Sequence, residues 1–122
     1  MDRVFFIIGA LSACVGIAAG AFGAHGLKSH LSPEMLSVFE VGVRYQMYHA
    51  FALMATAWAQ TRWPSSVVVI GGWLFVIGIV LFSGSLYLLS LSGVRWVGAI
   101  TPLGGLAFLA GWVCLAWAVW KT

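Results

Sequence analysis

The sequence predicts an all-α membrane protein, a transmembrane antiparallel four-helix bundle of up-down-up-down topology with an amphipathic extension ahead of the second span. Three observations predict it. Hydrophobic residues make up 62% of the 122 residues and charged ones only 7%, against roughly one quarter charged in soluble domains. Mean hydropathy is +1.04. The charges stand singly between long apolar runs, at Asp2, Arg3, Lys28, Glu34, Glu40, Arg44, Arg62, Arg95 and Lys121. So few charges could not cover a soluble fold, and a net charge of +3 spread this thinly makes no nucleic-acid patch. The pattern is a single domain, 1–122, with spans at about 4–23, 43–60, 67–89 and 98–120.

The first apolar run, Val4 to Gly23, holds about 20 residues, enough to cross ~30 Å of hydrocarbon. A secretory signal has an apolar core of roughly 7 to 15 residues, so this run is expected to stay attached as a span. Gly9, Ala13, Gly16, Gly20 and Gly23 recur at steps of four and three, with a GxxxG at Gly16 and Gly20. Such a stripe suits close packing against another helix of the same chain, or against a second copy. Gly20, Gly23 and Gly26 read as ending the first helix, since no strand precedes them and no GK[ST] follows to make a phosphate loop. Ser32 then reads as an N-cap, Pro33 as the first helical residue and Glu34 as a complement to the positive helix end.

A helix from Pro33 to Gln60 is about 42 Å long and exceeds the hydrocarbon layer, so its first two turns are expected at or outside the interface. Glu40 and Arg44 have the spacing to pair there, with Arg44 snorkelling toward headgroups; the other reading gives Arg44 to an anionic lipid or solute. This is the one span that carries strongly polar side chains into its apolar part. Gly42, Gln46, His49, Leu53, Thr56 and Gln60 share one face of a 3.6-residue wheel, and Glu40, Arg44, Tyr48 and Phe51 share the opposite one. Polar groups must be hidden from lipid, so the Gln46 and His49 face is expected to point into the bundle.

The turn TRWPSS, residues 61–66, supplies Arg62, an interfacial Trp63 and Pro64 to start the third span. Val67 to Leu89 contains no charge. One of its faces holds Gly72, Val76, Ile79, Ser83, Tyr87 and Ser90, where Gln46 and His49 are expected to find partners; another holds Gly71, Gly78 and Ser85. In the last span Thr101 and Pro102 read as cap and first turn, after an extended or kinked lead-in at Val97 to Ile100. Gly104, Ala107, Gly111, Cys114 and Ala118 form a further small stripe. Gly16, Gly20, Gly104 and Gly111 are accordingly expected at helix contacts. Cys14 and Cys114 lie in apolar runs away from any other soft ligand and read as packing residues, the alternative being a redox pair. Four spans put both termini beside Arg62; Arg3, Arg62 and Lys121 there against Lys28 and Arg95 opposite predict cytoplasmic termini, although Arg44 counted opposite makes the two sides equal.

Four motifs carry a family likeness: GAFGAHGLK at 20–28, YQMYHAFAL at 45–53, FSGSLYLLSLSG at 82–93 and ITPLGGLAFLAGW at 100–112. In this order, and through nearly the whole chain, the sequence resembles the domain-of-unknown-function 423 family, the YgdD/YwdK-like small membrane proteins. The resemblance implies a four-helix protein of the bacterial inner membrane, for which no activity is established. His25, Tyr45, Gln46, His49, Ser83, Tyr87, Thr101, Pro102 and Gly104 fall inside the matching motifs, without a role implied for any of them.

Two functions follow from the residues. The first is a non-enzymatic accessory or interaction protein, with a sealed hydrogen-bonded seam inside and outer faces that hold lipids, other copies of itself or other membrane proteins. The second is a small oligomeric transporter or channel for a proton, cation or small solute. There His49 is the titrating or binding group, with Tyr45, Gln46, Ser83 and Tyr87 as supporting ligands. An enzyme is not expected: Ser83 and Ser85 lack an evident base. No cofactor is expected either, and no metal, because His25 and His30 do not share a helical face and their only nearby third ligand is Glu34.

Overall fold

The computed structural model describes all residues from Met1 to Thr122 and contains four helical rods. The first runs Asp2–Leu27, the second Pro33–Arg62, the third Ser66–Ser92 and the fourth Thr101–Trp120, preceded by a short 3-10 turn at Arg95–Ala99. The first and third rods, and the fourth taken with its 3-10 turn, are long and apolar enough to cross a membrane, at 26, 27 and 26 residues. The second has 30 residues and packs against both the first and the third. Only 30 of the 122 residues are buried, while Phe6, Leu11, Ile17, Val80, Leu106 and Val113 face outward. An exterior this apolar fits lipid as its solvent.

Glycines set the packing. Along the first and second helices, a Cβ on Gly9 would stand 2.7 Å from the Ala50 carbonyl, and one on Gly16 would stand 2.6 Å from the Met47 sulfur. Gly20 faces Val43 and Gly23 faces Phe39, so the two rods run antiparallel in contact over most of the first. Along the third and fourth, Gly71 lies against Cys114 and the Gly111 carbonyl, Gly78 beneath the Phe108 ring, Gly104 against the Phe82 backbone and Gly111 against Phe75. The hairpins join through Phe5, fully buried and seated on Gly72, together with Leu53, Ala57, Phe75 and Phe108. A smaller cluster of Ala59, Val68 and Ala118 closes the end near the termini.

The ends of the helices follow local chemistry, with several departures from expectation. Ser32 caps the second helix as expected, its hydroxyl accepting from the Met35 amide at 3.1 Å, with Pro33 in the first turn. Gly23 and Gly26 do not end the first helix; Gly23–Leu27 continues it as one wide π-type turn. Gly23 keeps right-handed helical angles and gains packing space under Phe39, so the ring fixes it in the helix. The third helix begins at Ser66, after Pro64, because the Ser65 hydroxyl accepts from the amides of Val67 and Val68. It is interrupted by a π-type turn at Ile79–Ser83 and stops at Gly93, whose φ of 73° is left-handed and open to glycine at no steric cost. Thr101 is no cap: Ile100 takes that position without a side-chain bond, and Thr101 bonds Ser85 at 2.6 Å instead. Of the two forms expected for the Val97 to Ile100 lead-in, the structure takes the turn, as part of a 3-10 helix over Arg95–Ala99. Glu40 and Arg44 make no ion pair, the one ion pair in the chain being Met1 with Asp2.

Candidate functional site

The second helix sorts its side chains as its spacing predicts. Gly42, Gln46, His49, Leu53 and Thr56 are buried and Gln60 is half-buried, whereas Glu40, Arg44, Tyr48 and Phe51 are exposed. The depth of these groups follows from the packing. Gly9 is level with Ala50 and Gly16 with Met47, so the midpoint of the first apolar run falls opposite the region of His49. His49 and Gln46 therefore sit near the middle of the bundle.

Gln46 ties three helices together. Its amide nitrogen donates to the Ser12 carbonyl at 2.8 Å, and its amide oxygen accepts from the Tyr87 hydroxyl at 2.6 Å. Tyr87 is held in turn by Phe39, with ring centroids 5.0 Å apart, and by Gly42, which leaves space for its ring edge. The expected partnership of Gln46 with the third helix is thus present. His49 differs: its partners lie on the second and fourth helices. Its Nδ1 stands 2.8 Å from the Tyr45 carbonyl, and its Nε2 stands 3.1 Å from Trp112 Nε1. A carbonyl only accepts and an indole N–H only donates, so the ring is neutral with its proton on Nδ1. Phe108 stacks on it with centroids 3.5 Å apart and planes 7° from parallel.

Ser83 is buried and its hydroxyl donates to the Gly42 carbonyl at 2.6 Å, so it serves neither Gln46 nor His49. Thr56 donates to Ala52 within its own helix, and Ser85 bonds the Phe82 carbonyl as well as Thr101. No buried side-chain nitrogen or oxygen lacks a partner. The six candidates accordingly separate. Gln46 and Tyr87 form one contact, Ser83 a second and His49 a third, all inside the bundle. Arg44 and Tyr45 belong to its outside. Gly16, Gly104 and Gly111 are buried at helix contacts, and Gly20 is half-buried against Val43. Cys14 is an exposed free thiol, and Cys114, also free, packs on Gly71. His25, His30 and Glu34 do not converge into a group able to hold a metal.

The largest cavity is a groove of about 810 Å³ between the second and fourth helices, open to the outside of the bundle. Tyr45, Tyr48, Phe82, Leu106, Leu109 and Trp112 line it, with the edge of His49 in its floor. Residues missed by reading the sequence are Trp112, Phe108 and Tyr48. The first two form an i, i+4 aromatic pair on the fourth helix, a spacing that marks a common face. Nothing in that spacing names His49 as its partner.

Comparison with known proteins places the chain. The pattern of the family described as "Protein of unknown function (DUF423)" matches residues 19–105. A UPF0382 membrane protein of Staphylococcus saprophyticus is 47% identical over 98% of both chains. The UPF0382 membrane protein YwdK of Bacillus subtilis is 45% identical, again over 98% of both. No solved structure matches. A family pattern spanning most of the sequence and relatives alike from end to end establish that the chain belongs to the DUF423 family of membrane proteins of unknown function.

Proposed function

We propose that the protein is a non-enzymatic accessory protein of the bacterial plasma membrane that acts through its outer surface, on lipids, on its own copies or on other membrane proteins. All four helices cross the bilayer in this reading, the second with its polar face packed against its neighbours, and the termini and Arg62 lie on the cytoplasmic side. The observation that carries it is the saturation of the interior. Gln46 has both ends engaged, His49 has both ring nitrogens engaged, and no buried polar side chain is left free for a solute.

The same saturation weighs against transport through the seam. Protonating His49 at Nε2 would set two N–H donors against each other, so the Trp112 bond would have to break first. Ser83 and Tyr87, which a pathway would need beside His49, are turned to Gly42 and Gln46. Reconstitution into liposomes under a pH gradient tests this. Proton leak is expected to equal that of protein-free vesicles for wild type and His49→Leu alike. A wild-type flux abolished by His49→Leu would reject the sealed reading.

A further inference from the structure

We propose that the outer face of the second helix and the adjoining groove form a binding site for an anionic phospholipid, with Arg44 on its phosphate and one acyl chain in the groove. The proposal rests on the outer surface being the working surface, and it names the ligand. Arg44 is exposed and has no ion-pair partner in the chain. It lies five positions before His49, about 7 Å from the middle of the bundle along the helix axis. Its α-carbon is therefore inside a hydrocarbon layer whose half-thickness is about 15 Å. A bare guanidinium at that depth is costly, and a side chain on a helix leans toward the helix N-terminus. That lean carries Arg44 toward the membrane face bearing Lys28 and Arg95, where lipid phosphates lie.

The groove begins one turn away. Tyr48 follows Arg44 at i+4, and it lines the groove together with Tyr45. From the Pro102 end the groove descends past Leu106 to Trp112, the direction an acyl chain takes from a headgroup held at Arg44. The walls are apolar and aromatic, as a chain requires, and Tyr45 and Tyr48 are both exposed along its length. A guanidinium donates two parallel N–H bonds to a phosphate, and in zwitterionic lipids that phosphate is already countered by the lipid's own ammonium. Glu40, one turn before Arg44 and also exposed, is the nearest competing anion on this helix.

The test places the full chain in nanodiscs of phosphatidylethanolamine with a minor share of phosphatidylglycerol and identifies retained lipids by native mass spectrometry. Wild type is expected to retain phosphatidylglycerol above its share. Arg44→Gln is expected to reduce that preference about tenfold, Arg44→Lys to keep part of it, and Glu40→Gln to strengthen it. Gly105→Leu should lower retention of both lipids by filling the groove, at a position where a Cβ approaches only Phe82, at 4.0 Å. Unchanged selectivity in Arg44→Gln, with helicity intact by circular dichroism, overturns the headgroup assignment. Unchanged retention in Gly105→Leu overturns the chain's place in the groove. Displacement by soluble glycerol 3-phosphate would make the ligand a free phosphate, and a dimer that excludes lipid from Arg44 would give the face to a second copy; either result overturns the lipid. None of these failures produces proton flux, so the sealed-interior reading stands or falls separately.

Discussion

Two faces of one helix, about half a turn apart, treat polar groups in opposite ways. On the inner face of the second helix, Gln46 and His49 spend their hydrogen-bonding capacity on Ser12, Tyr87, Trp112 and the Tyr45 carbonyl. On the outer face Arg44 and Tyr48 are exposed, and Arg44 meets no carboxylate of its own chain. A polar residue inside a membrane is thus not functional by virtue of its depth. What separates the two sets is whether the fold already answers them, and the inner set is answered within the chain.

The sharpest way to break this comparison is to disturb the inner face alone. A Cβ at Gly42 would stand 2.9 Å from the Tyr87 ring, so Gly42→Val pushes that ring away and strains both the Gln46 and the Ser83 contacts. It is expected to destabilise the protein by about 2–3 kcal/mol in a detergent unfolding titration. Ala55→Val, on the exposed face, should change stability by less than about 0.5 kcal/mol. Equal losses would mean that the outer face is packed in the native membrane as tightly as the inner one.

A smaller effect separates packing from hydrogen bonding. Gln46→Leu leaves the Tyr87 hydroxyl without its acceptor and is expected to cost about 1–2 kcal/mol, the upper part of the range for buried bonds in membranes. Tyr87→Phe removes the other partner, so the double variant should lose less than the sum of the two single ones. A cycle showing no coupling would mean that the bond has no energetic role.

His49 calls for the same treatment through its indole partner. Trp112→Phe keeps an aromatic ring while deleting the donor to Nε2 and some of the bulk beside Phe75, and the expected loss is at least about 1 kcal/mol. Once that donor is gone, Nε2 borders the groove and can accept a proton or another donor. An unchanged stability would show that the Phe108 stack and the Tyr45 carbonyl hold the ring without help from the indole.

Most of the fold was legible because membrane helices obey few rules. Apolar run length marked the helices, steps of three and four picked the buried face of the second, and Ser32 with Pro33 announced its start. The parts that escaped depend on contacts between distant segments. Thr101 carries the chemistry of a cap, and only the approach of Ser85 across 16 residues turns its hydroxyl elsewhere. Gly23 has the residue type that ends helices, but the Phe39 ring overhead makes it a packing position. The partner of His49 stands 63 residues away on a helix whose own pattern is uniformly apolar, so no local spacing could find it. Glu40 and Arg44 erred in the other direction: correct spacing permits an ion pair, and two exposed, flexible side chains are not bound to form it.

The smallest expected stability effect is the most informative about the outer face. Arg44→Gln touches no bonded partner in the chain, so its unfolding free energy should stay within about 0.5 kcal/mol of wild type. A lipid that binds Arg44 adds stability by mass action, and only to the protein that binds it. Wild type should therefore unfold at higher denaturant in micelles supplemented with phosphatidylglycerol than in bare detergent, and Arg44→Gln should not shift. If both proteins shift equally, the added stability comes from the bilayer-like environment and not from the guanidinium. The outer face would then be as indifferent to its surroundings as the inner one is closed to them.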